Sequence, residues 1–300
     1  MSPYYQECNS FAVKGKLMKF QFLGTAAAEG WPAAFCNCRY CKEAIRLGGR
    51  NIRTRSQSLV NGEMLIDFPP DTYMHKLAYG LDLTAIKYLL ITHKHMDHFF
   101  PQELAIRGGI FSHDMTYEKM SIYSAKETKE HFDLISKDDL GQERYELLEW
   151  HILKPFVTET FGQYQLTPLP ASHMGEGNEP FVFHIVDENG TSVLYLLDSG
   201  YYKDEVWDYF EKTAEKSGPV SMVVYDTTDA ATETDHARHM GFSEVKRVKQ
   251  RMSSIGIVGG NTICVLDHFS HNGKYLHYEM TALAEKENCI VAYDGMELNL

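Results

Sequence analysis

The segment THKHMDHF places His93, His95, Asp97 and His98 within six residues, directly after the apolar run IKYLLIT. On an extended segment, residues two apart point to the same side, so His93 and His95 can reach one metal ion. Asp97 and His98 are adjacent and diverge, which suits a second ion beside the first. Hydrolytic two-metal sites hold their ions roughly 3.5–4 Å apart. Imidazole and carboxylate donors fit zinc, manganese or iron. A polar surface loop is the bland alternative, and three histidines plus an aspartate after a buried strand argue against it.

More candidate ligands follow apolar runs elsewhere. They are Asp67 in LIDFPP, His173 in PLPASHMGEGNEPFVF, Asp198 in LYLLDSG, and His268 and His271 in CVLDHFSHNG. The chain has six cysteines, and Cys36, Cys38 and Cys41 crowd into FCNCRYC. In a reducing compartment such a cluster points to metal ligands or redox thiols rather than disulfides. Cys264 and Cys289 read as small buried apolar residues.

Strands must position these residues. KLMKFQFLG reads as a first strand, and SQSLVNGEMLIDF as a hairpin about a type I′ turn at Asn61-Gly62. IKYLLIT, MSIYSA, the two strands of PFVFHIVDENGTSVLYLLDSG, SMVVYD and TICVLDH follow. FFPQELAIRGG reads as a short helix, and further helices are expected near 126–136, 203–216, 243–252 and 275–287. Ligand-type residues thus sit on loops just past rigid strands.

The 300 residues are 44% hydrophobic and 23% charged, an ordinary globular composition, with a net charge of −12. That balance disfavours nucleic acid and anionic membranes as partners and favours a small-molecule substrate. No signal-peptide pattern and no apolar run of spanning length is seen, so a soluble cytoplasmic protein is expected. No linker divides the chain. A single domain over 1–300 is expected, with 1–16 as an N-terminal extension. A homodimer is a common state for such enzymes.

The motif H-x-H-x-D-H, intact at 93–98, followed in order by His173, Asp198 in LDSG and His268 in LDHFSH, resembles the metallo-β-lactamase superfamily from about residue 17 to about 295. The resemblance implies an α/β (α+β) fold, a four-layered αββα sandwich. It implies that His93, His95 and His173 hold one divalent metal, that Asp97, His98 and His268 hold another, and that Asp198 bridges them. Zinc, manganese or iron could fill both positions, activating water for hydrolysis. Asp67 matches the early aspartate that hydrogen-bonds within the motif.

The cysteine triplet lacks one donor for a tetrahedral zinc, and His271, three residues past His268, can point away from the active site to supply it. The combination resembles the phosphoribosyl cyclic phosphodiesterases of phosphonate breakdown, which implies a structural zinc on Cys36, Cys38, Cys41 and His271. The same resemblance suggests His239 in HMGFSE as a histidine near the substrate phosphate, with His236 as its competitor. Asp97, His239 and Asp67 form the expected catalytic set. LGTAAAEGWPAAFCNCRYC also resembles the pyrroloquinoline-quinone biosynthesis branch, whose members depart from the histidine motif that stands whole here.

The expected activity is therefore a dinuclear-metal phosphodiesterase on a small cyclic or nucleotide-like phosphodiester. Ester, thioester or lactone hydrolysis on the same ligands, and a non-hydrolytic role in cofactor biosynthesis, are the alternatives. His75, His113, His131, His151, His184 and His277 read as surface or satisfied core histidines. Arg53, Arg55 and Arg107 could each contact a phosphate.

Overall fold

The computed structural model describes residues 17–136, 141–232 and 238–300. The 1–16 extension and Cys8 lie outside the described residues. The first half of the chain gives strands β1 (Lys19–Gly24), β2 (Gln57–Val60), β3 (Met64–Ile66), β4 (Tyr88–Leu90), β5 (Met120–Ser124) and β6 (Leu148–Ile152). The second half gives β7 (Glu159–Phe161), β8 (Tyr164–Pro170), β9 (Phe181–Asp187), β10 (Ser192–Leu196), β11 (Met222–Asp226), β12 (Ile263–Asp267), β13 (Cys289–Val291) and β14 (Met296–Asn299). Two seven-stranded mixed sheets result, in the orders β14-β1-β2-β3-β4-β5-β6 and β13-β12-β11-β10-β9-β8-β7.

Strand alternation sorts side chains into layers. In β1, Phe20 and Phe22 enter the core between the sheets, where they meet Tyr195 of β10 and Met222 and Val224 of β11. The alternate residues of β11, Val223 and Tyr225, join a second core beneath the helices. The helices are α1 (Arg39–Leu47), α2 (Thr72–Tyr79), α3 (Lys126–Ser136), α4 (Gln142–Tyr145), α5 (Asp204–Ser217), α6 (Phe242–Ser254) and α7 (His277–Ala284). Val206, Trp207 and Phe210 of α5, with Val245, Val248 and Met252 of α6, cover the second sheet. Full burial of a side chain such as Phe210 contributes roughly 1.5–3 kcal/mol. Phe132 of α3 and Tyr79 of α2 pack on the outer face of the first sheet, against Leu65, Leu89 and Ile122. The layers therefore run helix, sheet, sheet, helix, as the resemblance implied.

Several local expectations change. The segment expected as a helix after the histidine motif forms 3₁₀ turns at Pro101–Ile106 and Gly109–Phe111. Gly108 between them sits at φ 98°, a conformation that ends any α-helix there. Asn61 and Gly62 both lie at positive φ, but Val60 pairs with Met64, so the turn holds three residues rather than two. Strands β6, β7, β8, β13 and β14 and helices α1 and α2 were not legible in the pattern. Among the described residues, no helix is long and apolar enough to cross a membrane.

Candidate metal centre

The predicted residues gather along one edge of the two sheets because each follows a strand. Asp67 follows β3, the histidine motif follows β4, His173 follows β8, Asp198 follows β10 and His268 follows β12. Asp67, Asp198 and His268 have φ values of 66°, 51° and 63°. Left-handed backbone is costly for residues with a Cβ, and three such residues in one site mark strain held by the surrounding fold.

His93, His95 and His173 form one group, with His93 Nε2 2.9 Å and His173 Nε2 3.0 Å from His95 Nδ1. Asp97, His98, Asp198 and His268 form the neighbouring group, with donor atoms within 4.8 Å of one another. Asp198 lies between them. Its Oδ2 is 3.3 Å from His93 Nε2, 3.6 Å from His173 Nε2 and 2.8 Å from His98 Nε2, while its Oδ1 is 3.2 Å from His268 Nε2.

The residues fit divalent cations. Asp198 Oδ1 is buried yet accepts no hydrogen bond. Neutral imidazole nitrogens turned toward one another at 2.9–3.0 Å bring lone pairs together unless a cation or proton lies among them. Burial pushes the His93 imidazole well below its usual range, which keeps it neutral as a ligand must be. His98 behaves oppositely: burial disfavours its charge, but Asp198, Asp97 and Asp67 around it hold its pKa well above the usual range. Burial likewise opposes the charge of Asp198, and His268, His98 and His173 outweigh it.

Asp67 lies behind this layer. Its Oδ2 is 2.7 Å from His98 Nδ1, and its Oδ1 accepts from the Thr92 amide at 2.8 Å and hydroxyl at 2.9 Å. It orients His98 from the ring nitrogen that faces away from Asp198. Partners of this kind typically account for about 10–100-fold in metal affinity or activity. Asp67→Ala should therefore weaken metal binding at the His98 group by about that factor. Competition against a metallochromic chelator would measure it, and unchanged affinity would contradict this role.

Asp226 was missed, although the run SMVVYD carries it at the end of an apolar strand, as LYLLD carries Asp198 two residues past one. It is fully buried, and its Oδ2 is 3.1 Å from His239 Nδ1 and 3.7 Å from His268 Nδ1. Its Oδ1 accepts from the Thr228 and Met240 amides, both at 3.1 Å. His239 Nδ1 also lies 3.4 Å from Asp198 Oδ1. Burial opposes a charge on His239, but Asp226 and Asp198 raise its pKa to about 9. Asp198, Asp226, His239 and His268 make up a further donor group. His236 lies outside the described residues.

Cys36, Cys38, Cys41 and His271 also converge. His271 Nδ1 is 3.7 Å from Cys36 Sγ and 3.5 Å from Cys38 Sγ. Tetrahedral bonds of about 2.3 Å to sulfur and about 2.0 Å to nitrogen place donors about 3.5–3.8 Å apart, so the set fits zinc. Cys38 caps α1, and its Sγ accepts from the Cys41 amide. Burial raises the Cys38 thiol pKa, but that amide and His271 bring it down to about 6, toward the thiolate a metal needs.

His95, Asp97, His173, Asp198, His239 and His268 open onto a cleft of about 620 Å³. None of the three candidate arginines lines it. Arg53 is buried against Thr25, the Ala292 carbonyl and His277, Arg55 pairs with Asp71, and Arg107 donates to backbone carbonyls. His75 and His184 are satisfied inside the core, by Thr54 and Gln57 and by Tyr209 and Ser192.

A beta-lactamase superfamily domain profile matches residues 63–257, a stretch that holds the histidine motif but neither the cysteines nor His268. An octanoyltransferase of Porphyromonas gingivalis is 33% identical over 294 residues, covering 93% of this chain. This chain spans about half (51%) of the length of that curated relative. A diphosphatase of the PhnP family superposes with a TM-score of 0.72 at 18% identity, covering 94% of this chain and 98% of its own. Zinc-bound PqqB from Methylobacterium extorquens gives 0.68 at 17%, covering 94% and 100%. The human short-form tRNase Z gives 0.61 at 16%, covering 94% and 98%.

Proposed function

The chain belongs to the beta-lactamase superfamily, and from that premise we propose that it is a metal-dependent hydrolase of phosphodiester bonds in a small cyclic or nucleotide-like substrate. The observation that carries the reading is Asp198, which lines the cleft and whose carboxylate sits between two histidine groups, with Oδ2 near His93, His173 and His98 and Oδ1 near His268. Names of structural relatives support reaction at phosphorus: a diphosphatase of the PhnP family and a tRNase Z.

His93, His95 and His173 would hold one divalent ion and Asp97, His98 and His268 the other, with Asp198 between. Such a pair lowers the pKa of a water ligand toward neutrality and offsets charge developing on phosphorus. The chain's own residues do the rest. Asp67 fixes the ring of His98. Asp226 and Thr228 occupy the region around His239 Nδ1, leaving Nε2 as the ring nitrogen for a substrate. His239 there donates a proton to the departing alkoxide.

A second reading, hydrolysis of an acyl ester or thioester, is favoured by the name of the octanoyltransferase relative. One panel separates the two: bis(p-nitrophenyl) phosphate and p-nitrophenyl octanoate, each with zinc and with manganese. We expect phosphodiester turnover that disappears in His95→Ala and with chelator. Turnover of the octanoate alone would replace the first reading with the second.

A further inference from the structure

Among the residues lining the cleft, Lys274 is the sole lysine or arginine. The other charged groups there include Glu29, Asp97, Asp198 and Asp229. Apart from His239 and the metal-binding groups, Lys274 is the cationic side chain among these residues for an anionic part of a substrate to meet. We propose that Lys274 determines specificity by binding a second phosphate group of the substrate, away from the bond that is cut. Which bond is cut rests on the hydrolase reading above; the location of the second phosphate does not.

The backbone holds Lys274 in place. It has φ 61°, in the left-handed region, and its amide donates to the His271 carbonyl at 3.3 Å. The preceding Gly273 is buried against the loop after β11: a Cβ there would lie 2.7 Å from Ala230 Cβ and 3.1 Å from the Thr228 carbonyl. The Ala231 amide donates to the Gly273 carbonyl at 3.1 Å. On the other side the loop is tied to Glu29, which accepts from the Ser270 hydroxyl and lies 3.5 Å from His271 Nε2. Glu29 is thereby occupied, whereas neither the Lys274 ammonium nor the Asn272 side-chain amide has a hydrogen-bond partner among the described residues. A lysine ammonium is a point-charge binder of phosphate, and the neighbouring amide adds a donor for another of its oxygens. The cleft is roomy enough for both groups of such a substrate, since small-molecule sites run from about 300 to about 1,000 Å³.

The test is calorimetric binding of adenosine 3′,5′-bisphosphate and adenosine 5′-monophosphate to the metal-loaded protein and to Lys274→Ala and Lys274→Arg. The wild type should prefer the bisphosphate. Lys274→Ala should weaken the bisphosphate roughly tenfold and the monophosphate less than about twofold, with Lys274→Arg retaining most of the preference. The side chain is exposed, so thermal stability should not change. Equal weakening of both ligands, unchanged bisphosphate binding in Lys274→Ala, or no preference in the wild type would overturn the proposal. A preserved preference without phosphodiester turnover would sink only the reaction reading.

Discussion

Asp198→Ala is expected to lower turnover by about 10³-fold or more and to remove both active-site ions. Among the described residues no other side chain serves both groups: Oδ2 faces His93, His173 and His98, and Oδ1 faces His268. Without it, the buried imidazoles lose the anion that sits among them, and Asp97 is the one carboxylate left in the two groups to face two divalent ions. Asp198→Asn separates chemistry from folding. It keeps the size and tolerates the left-handed backbone at φ 51°, so it should stay folded while losing activity to a similar degree. Steady-state kinetics with metal analysis of both variants would check this. A variant with two active-site ions bound and more than about a tenth of wild-type turnover would contradict it.

Cys41→Ser should cost one metal equivalent and about 3–5 kcal/mol of stability, short of the roughly 10–16 kcal/mol with which zinc folds isolated fingers, because two of the three hydrophobic cores lie apart from the cysteine group. At roughly 2–4 °C per kcal/mol, the melting temperature should fall by about 10 °C. The effect should reach the active site. The cysteine group joins the loop before α1 to His271, three residues from His268. The same two loops are also laced by the Ala27 amide to the Phe269 carbonyl at 3.0 Å and the Phe269 amide to the Thr25 carbonyl at 2.9 Å. Turnover should therefore fall less than in Asp198→Ala, through loosened placement of His268. Cys264→Ser is the control: its thiol is buried opposite Cys289 in the β12–β13 pair, so that variant should lose stability while keeping its metal. Unchanged zinc content and melting temperature in Cys41→Ser would contradict the zinc assignment.

What the sequence made legible follows from range. A dense motif such as HKHMDH carries its own geometry, and buried strands such as IKYLLIT and SMVVYD announce themselves by apolar runs. Asp226 carried the same strand-end signal as Asp67 and Asp198 but nothing local to give it a role, which exists only once His239 and His268 arrive from 13 and 42 residues downstream. Strand β8 was obscured by Pro168 and Pro170, which disfavour a paired strand. The structure shows why they fit: β7 pairs only with Tyr164–Leu166, so both prolines lie where β8 has β9 alone as its ladder partner. Strands β13 and β14 are short, and each is defined by a distant partner, β12 and β1. Lys274 likewise gains meaning only from the cleft it borders.

The central claim is a two-ion centre bridged by Asp198, with a separate zinc on the cysteine group. Elemental analysis of the wild-type protein, loaded with zinc or manganese and freed of excess metal, tests it most directly. About three equivalents per chain are expected, two from the bridged centre and one from the cysteine group. A single equivalent, retained in Asp198→Ala and lost in Cys41→Ser, would show that only the cysteine group binds metal and would contradict the account.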